Sequence, residues 1–195
     1  MKKFILASSS PQRSQLLRQA HYDFVIQTPP VVELVVDFLT PSELCLLNAC
    51  RKTFGVAHAE PDAVVLGADT LVAIGTTIFG KPVDLDDARR MLMRLSGRTH
   101  DVVTAVAISN LSDRRTVFAV IESEVQFRKL DADSIGRYLA RINPLQKAGA
   151  YAAQIDAETV IERIDGSFTN VVGLPMEMVP RLLAEFGIHP TASNQ

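Results

Sequence analysis

Short apolar runs rich in β-branched residues alternate along this chain with segments of helical period that carry their own start and stop signals. That alternation confines it to an α/β fold, a sheet covered by helices. Phe4 to Ala7 reads as a short buried strand, and Ser10 followed by Pro11 pairs an N-cap with a first-turn proline, opening a helix that turns Leu16, Leu17 and Ala20 inward. Thr40-Pro41-Ser42-Glu43 is a capping box, and Leu44, Leu47, Cys50 and Phe54 continue from it at helical spacing. Ala63 to Gly67 is a compact strand-like run that Leu71 to Ile74 resumes beyond Ala68-Asp69-Thr70, so Asp69 sits amid strand before the turn at Gly75. Asp84 caps a helix with Leu85, Ala88, Leu92 and Leu95 on one face and Gly97 as its left-handed stop. Val102 to Ile108 and Val117 to Phe127 pair about a polar turn near Ser112-Asp113. Ile135, Tyr138, Leu139 and Ile142 mark another helix, Val160 to Ile164 a strand, and Met176 to Phe186 a final helix stopped by Gly187. One hairpin among the strand-to-helix connections predicts a mixed β-sheet with flanking helices.

No linker, repeat or low-complexity tract divides the 195 residues, so residues 1–195 are read as one working unit. With 47% hydrophobic and 22% charged side chains, the chain can close one core or two small lobes sharing one. A net charge of −2 excludes the global basic field that holds long nucleic acids, so an anionic ligand has to be caught by a local cluster. The apolar run after Lys3 is four residues, too short for a signal segment or a membrane span, and the reading is a cytoplasmic protein without membrane attachment. Cys45 and Cys50, five apart in one helix, suit neither a disulfide nor a metal site and read as thiols in a reducing compartment.

The loop Ser8-Ser9-Ser10-Pro11-Gln12-Arg13 joins a strand to a helix N-terminus, where free backbone N–H groups favour an anion and three hydroxyls and a guanidinium gather. Ser10 as a simple cap, with Arg13 on the solvent face, is the plainer reading of the same residues. Asp69 stands among Val64, Val65, Leu66, Leu71 and Val72, and Glu33 interrupts the apolar run Pro30 to Val36; an ionised group in such company needs a partner, a metal or a strand end. A strand-end aspartate satisfied by amides, and an edge-strand glutamate that deters pairing, are the structural alternatives. Gly75 to Lys81 fits the first seven positions of a phosphate-binding P-loop but Pro82 supplies no hydroxyl, so that reading fails, and Lys81 is either a lone phosphate contact or a solvated lysine. His100, beside Asp101 at a strand start, reads as structural. Lys147, Tyr151 and Gln154 lie in a stretch of small residues that lets backbone approach a ligand. No G-x-G-x-x-G, paired C-x-x-C or H-E-x-x-H occurs, which removes dinucleotide redox and zinc hydrolysis.

Taken in order, ILASSSPQR, Glu33, Lys52 within NACRKT, GADTLV, FGKP, LSGRTHDVVTAV, KAGAYAAQ and GSFTNVVGLP resemble the Maf family of nucleoside triphosphate pyrophosphatases over nearly the whole chain. The resemblance implies an elongated two-lobed α/β fold with a central cleft, akin to the inosine triphosphate pyrophosphatases, and a homodimer. It implies hydrolysis of a nucleoside triphosphate to monophosphate and pyrophosphate with a divalent cation, magnesium or manganese. By position, Asp69 resembles the family's proton acceptor and Glu33 its second acid near metal and water, the two being the implied metal ligands. Lys81 joins them as catalytic, and with Ser8, Ser10, Arg13 and Lys52 it matches the phosphate-contacting positions. A carboxylate is a feeble base near neutral pH, so a cation that acidifies the attacking water is in keeping with Asp69. Gln12, Thr70 and Gln154 occupy positions that separate substrate branches. Thr70 and Gln154 resemble the branch acting on dTTP and UTP rather than on 7-methyl-GTP. Gln12 departs from it, standing where arginine is usual; Gln146 and Ile155 stand where aspartate and glycine are frequent. The alternatives are turnover of 7-methyl-GTP or another modified nucleotide, and a nucleotide-binding regulator of cell division without turnover. Retention of Asp69, Glu33, Lys52 and Lys81 speaks against the second.

Overall fold

The computed structural model describes residues 2–191. Strand β1 (Phe4–Ala7) is followed by α1 (Pro11–Gln19), the two-residue β2 (Val25–Ile26) and α2 (Pro41–Ala57). The long β3 (Val64–Ile74) turns at Gly75 into β4 (Thr77–Phe79), and α3 (Leu85–Leu95) leads into the hairpin β5 (Thr99–Asn110) and β6 (Arg115–Phe127). There follow α4 (Ala132–Leu139), two tight helical turns at Pro144–Gln146 and Ala148–Ala150, α5 (Ala157–Val160), β7 (Ile161–Asp165), α6 (Phe168–Val172) and α7 (Val179–Ala184). The expected caps are in place: the Ser10 hydroxyl accepts from the Arg13 amide, Thr40 and Glu43 form the reciprocal box, and Asp84 accepts from Asp87.

Seven strands form one sheet in the order β2-β1-β3-β5-β6-β7, with β4 alongside β3. β1 is parallel to β2 and β3, and every other pairing is antiparallel, which is the mixed sheet that helical crossovers plus a hairpin require. Because side chains alternate across a strand, β3 feeds both faces. On one face α2 covers Val65, Val103, Ala105 and Ala107. The other face carries two separate cores. One gathers Leu6, Leu66, Val106 and Ile108 with Leu17 and Leu183; the other gathers Val72, Val102 and Phe127 with Leu92, Leu95 and Ile135. Thr70 and Thr104, paired in register, fall between them.

Four local expectations change. Ile142 lies in the bend beyond α4, which ends at Leu139. The buried stripe of α2 is Leu44, Cys45, Asn48, Ala49, Lys52, Thr53 and Val56, and Leu47 is 38% exposed. Close approach to the sheet selects small residues on that face, and the polar members hide it from a hydrophobic reading. The apolar run Pro30 to Val36 joins no ladder, so Glu33 is on an irregular segment and not on an edge strand. The last helix begins at Val179, not Met176, because residues 175–178 form a separate turn that closes through the Val179 amide on the Pro175 carbonyl. Gly75 to Phe79 is the turn and second strand of a β-hairpin whose first strand is the end of β3, in agreement with rejecting a phosphate loop there.

His100 is buried, its Nε2 3.0 Å from the Tyr151 hydroxyl and its ring edge-on to Phe127 and Tyr151 at 4.8 and 5.5 Å. Nδ1 has no partner among the described residues, and burial pushes the imidazole pKa down to about 4. The unfolded chain takes up a proton near the ordinary value that the folded chain refuses, so this residue's contribution is intact above about pH 6.5 and is lost as pH falls toward 4. His100→Gln is expected to flatten the acid side of the stability profile, narrowing the drop between pH 7 and pH 4 by up to roughly 3 kcal/mol. Chemical denaturation at several pH values measures it, and an unchanged profile would show that His100 is not the titrating group.

Candidate active site

The site begins as a notch in the sheet. β1 leaves the ladder opposite Gly67, β4 joins opposite Val72, and from Ala68 to Leu71 the strand β3 is paired only with β5. Asp69 and Thr70 lie in that opening and, as neighbours on a strand, point to opposite faces.

Asp69 points toward α2. The helix packs so closely on β3 that a Cβ on Gly67 would stand 2.4 Å from the Thr53 hydroxyl and 2.8 Å from the Thr53 amide, so only glycine fits. Lys52, next to Thr53 on that helix, reaches the carboxylate: Nζ is 2.5 Å from Asp69 Oδ1 and 2.7 Å from Glu33 Oε1. Asp69 and Lys52 have side chains only 5% and 10% exposed, whereas Glu33 is 40% exposed. Asp69 Oδ2 is buried with no hydrogen-bond partner among the described residues. Lys81, from the end of the β4 hairpin, lies 3.3 Å from both Glu33 oxygens. Burial works against ionising Glu33, but Lys52 and Lys81 outweigh it and hold the carboxyl below its usual range.

Thr70 points the other way, to Arg13. The guanidinium is turned inward and all three nitrogens are engaged: Nε donates to the Gly173 carbonyl at 2.8 Å, Nη1 to Ser8 Oγ at 3.2 Å and Nη2 to Thr70 Oγ1 at 3.0 Å. Burial lowers its pKa, opposed chiefly by Asp69. Arg13 thus ties the first loop to β3 and to the turn after α6, in place of the solvent-facing arginine of the plainer reading. Ser10 does both things expected of it, capping α1 while lining the cleft.

The ten residues that the family resemblance placed in the site, Ser8, Ser10, Gln12, Arg13, Glu33, Lys52, Asp69, Thr70, Lys81 and Gln154, line a single cleft of about 960 Å³. A nucleotide fits that volume. Lys147 joins them, half-buried and without an ion pair among the described residues, and burial lowers its pKa. Gly149, at φ +67°, lets this segment press against Val72. Four cations, Arg13, Lys52, Lys81 and Lys147, therefore face two carboxylates in a protein of net charge −2, which makes the cleft a local anion trap. No group of three or more Asp, Glu, His or Cys side chains able to hold a metal occurs among the described residues. What is present is a pair of carboxylates sharing a lysine, one with an orphaned buried oxygen, and such a sparse oxygen set suits magnesium-like ions that take their other ligands from phosphates and water. Sequence reasoning missed Asn48 and Thr104, which touch Leu34 and Thr70; the signal for Asn48 was a polar residue recurring on the helix face that also holds Ala49 and Lys52.

Residues 3–186 match the family model described as Maf-like protein. A dTTP/UTP pyrophosphatase of Pelotomaculum thermopropionicum is 42% identical over 187 residues, covering 96% of this chain and 98% of the relative. One from Symbiobacterium thermophilum is 43% identical over 187 residues, covering 96% and 95%. Among solved structures, the Staphylococcus aureus Ham1 protein is similar at TM-score 0.46 and 15% identity over 65% of this chain and 72% of that one.

Lys52→Met removes the one cation among the described residues that contacts the buried Asp69, and the expected cost is on the order of 3–5 kcal/mol. Adding Asp69→Asn should restore a large part of it, since the stranded charge goes too. Urea denaturation of the parent, both single variants and the double variant decides the matter, strictly additive losses being the result that contradicts a coupled pair.

Proposed function

The chain belongs to the Maf-like family, and from that premise we propose that it hydrolyses dTTP and UTP to the nucleoside monophosphate and pyrophosphate. The observation that carries the reading is Asp69 Oδ2, a buried oxygen with no partner, on a carboxylate that Lys52 keeps paired at its other oxygen, inside a cation-rich cleft. Oδ2 is the proton acceptor. It takes a proton from a water whose oxygen bonds to the α phosphorus, while the bond from that phosphorus to the bridging oxygen breaks and pyrophosphate leaves with the electron pair. Glu33 orients that water from the cleft side. Lys81, Lys52 and Lys147 offset the charge of the triphosphate, and Ser8 and the N-terminus of α1 receive its oxygens. Glu33 and Asp69 would hold a divalent cation, magnesium or manganese, which when bound acidifies water and neutralises phosphate oxygens. Thr70 and Gln154 support the pyrimidine branch by their likeness to it, with Gln12 in place of the usual arginine. A homodimer, which rests on the family resemblance, and a cytoplasmic location with the whole chain as the working unit, which rest on the short N-terminal apolar run, the two thiols and the lack of a linker, complete the reading; no helix among the described residues is long and apolar enough to cross a membrane.

The direct test is phosphorus NMR of reactions with UTP, dTTP and 7-methyl-GTP, with and without added magnesium or manganese. Monophosphate and pyrophosphate should appear as first products, fastest with UTP or dTTP. Orthophosphate with a diphosphate would sink the assignment, and a preference for 7-methyl-GTP beyond about tenfold, some 1.4 kcal/mol of transition-state binding, would move the chain to the other branch.

Asp69→Asn keeps the shape of the side chain and removes its basicity, so kcat should fall by roughly a hundredfold or more while nucleotide affinity largely survives. Turnover within a few fold of the parent, in a variant shown to be folded, would take Asp69 out of the mechanism and leave Glu33 as the acceptor.

A further inference from the structure

Glu33 sits at the cleft, yet residues 27–40 form no strand or helix that would hold it there. Its position is set from α2. Asn48, 2% exposed, accepts from the Leu34 amide at 2.8 Å through Oδ1 and donates to the Leu34 carbonyl at 3.1 Å through Nδ2. Arg51 donates to the Val32 carbonyl at 3.3 Å, and Lys52 reaches the Glu33 carboxylate at 2.7 Å. Residues 48, 51 and 52 follow the three-and-four spacing that places side chains on one helix face, so α2 brackets Glu33 from both neighbours along the backbone and from its own side chain. The Asn48 amide satisfies both backbone groups of Leu34, as an adjacent strand would. Asparagine is a poor residue for a helix interior and an expensive one to bury unpaired, and its two bonds to Leu34 are the compensation this structure shows.

We infer that Asn48 is a positioning residue for the reaction, acting through Glu33 by clamping the irregular segment that carries it at the depth where its carboxylate meets Lys52 and Lys81. The inference rests on the role of Glu33 proposed above and adds a residue that never touches the substrate. Small misplacements of a reacting group cost one to two orders of magnitude in rate, so loss of the clamp should be visible in kcat.

The experiment is a double-mutant cycle on the full chain with UTP, pairing Asn48→Leu, similar in volume and without polar atoms, with Glu33→Gln. Asn48→Leu should lower kcat about tenfold or more with KM changed less than about threefold, and should cost little or nothing further in the Glu33→Gln background. Asn48→Asp, which keeps the acceptor for the Leu34 amide but opposes the carbonyl, should fall between parent and Asn48→Leu, and it takes the place of Asn48→Leu in the cycle if the leucine variant does not fold. Equal losses in both backgrounds, or a lowered melting temperature with kcat intact, overturn the inference and leave the reading of Glu33 standing. Parental turnover by Glu33→Gln itself overturns both.

Discussion

Lys52 places its ammonium between Asp69 and Glu33, and the surrounding packing can be read as the set of conditions that contact imposes. Two carboxylates this close would repel, and burying one of them alone would cost several kcal/mol in lost hydration. A lysine held by a helix can offset both, but only if the helix lies almost in contact with the strand. Gly67 permits that approach, with Cys45 and Ala49 as the small residues facing it, and Thr53 anchors the same face with its one hydroxyl hydrogen shared between the Ala49 and Ala107 carbonyls, each 3.0 Å away. Larger side chains at any of these positions would lengthen the helix-to-strand distance and draw Lys52 off Asp69.

The sheet supplies the second condition. An aspartate in the middle of a fully paired strand would have neighbours on both sides and no route to a ligand. β1 ends opposite Gly67 and β4 starts opposite Val72, so β3 keeps its pairing with β5 while its other edge is open for the residues between. The strand remains rigid and the site remains reachable. On the far face the same interval falls between two apolar cores, which explains why polar Thr70 and Thr104 are tolerated there: neither core extends across them.

Most elements were legible from the sequence because they are local: the cap at Ser10, the box at Thr40 and Glu43, the cap at Asp84 and the apolar runs of β5 and β6 about their polar turn each declare themselves within a few residues. Elements that depend on distant partners were not. β2, with two residues, and β4, with three, are strands only because β1 and β3 lie beside them. The Pro30 to Val36 run is apolar enough to suggest an edge strand, yet its hydrogen bonds go to side chains of α2, including an asparagine no strand pattern would reveal. The site divides along the same line. The unusual setting of Asp69 was readable from its β-branched neighbours, whereas the inward turn of Arg13 depends on Gly173, 160 residues away.

Counting hydroxyl hydrogens separates residues that the sequence treats alike. Thr104 Oγ1 lies 2.9 Å from the Asn170 carbonyl, which can only accept, so the single hydrogen of Thr104 points there. The 2.9 Å contact between Thr104 and Thr70 then requires Thr70 to be the donor, and one of its two lone pairs already accepts from Arg13. Ser10 likewise donates to Gln12 Oε1 at 3.2 Å. Ser8 is the opposite case: its oxygen accepts from the Ser10 amide and from Arg13, and its hydrogen has no acceptor among the described residues. Of these four hydroxyls, Ser8 is therefore the one with a proton to offer an anion in the cleft, alongside exposed Ser9, whose hydroxyl has no acceptor among the described residues either. Thr70 meets a ligand through its shape and a residual lone pair, so discrimination at that position has to come from fit and from groups able to donate to it.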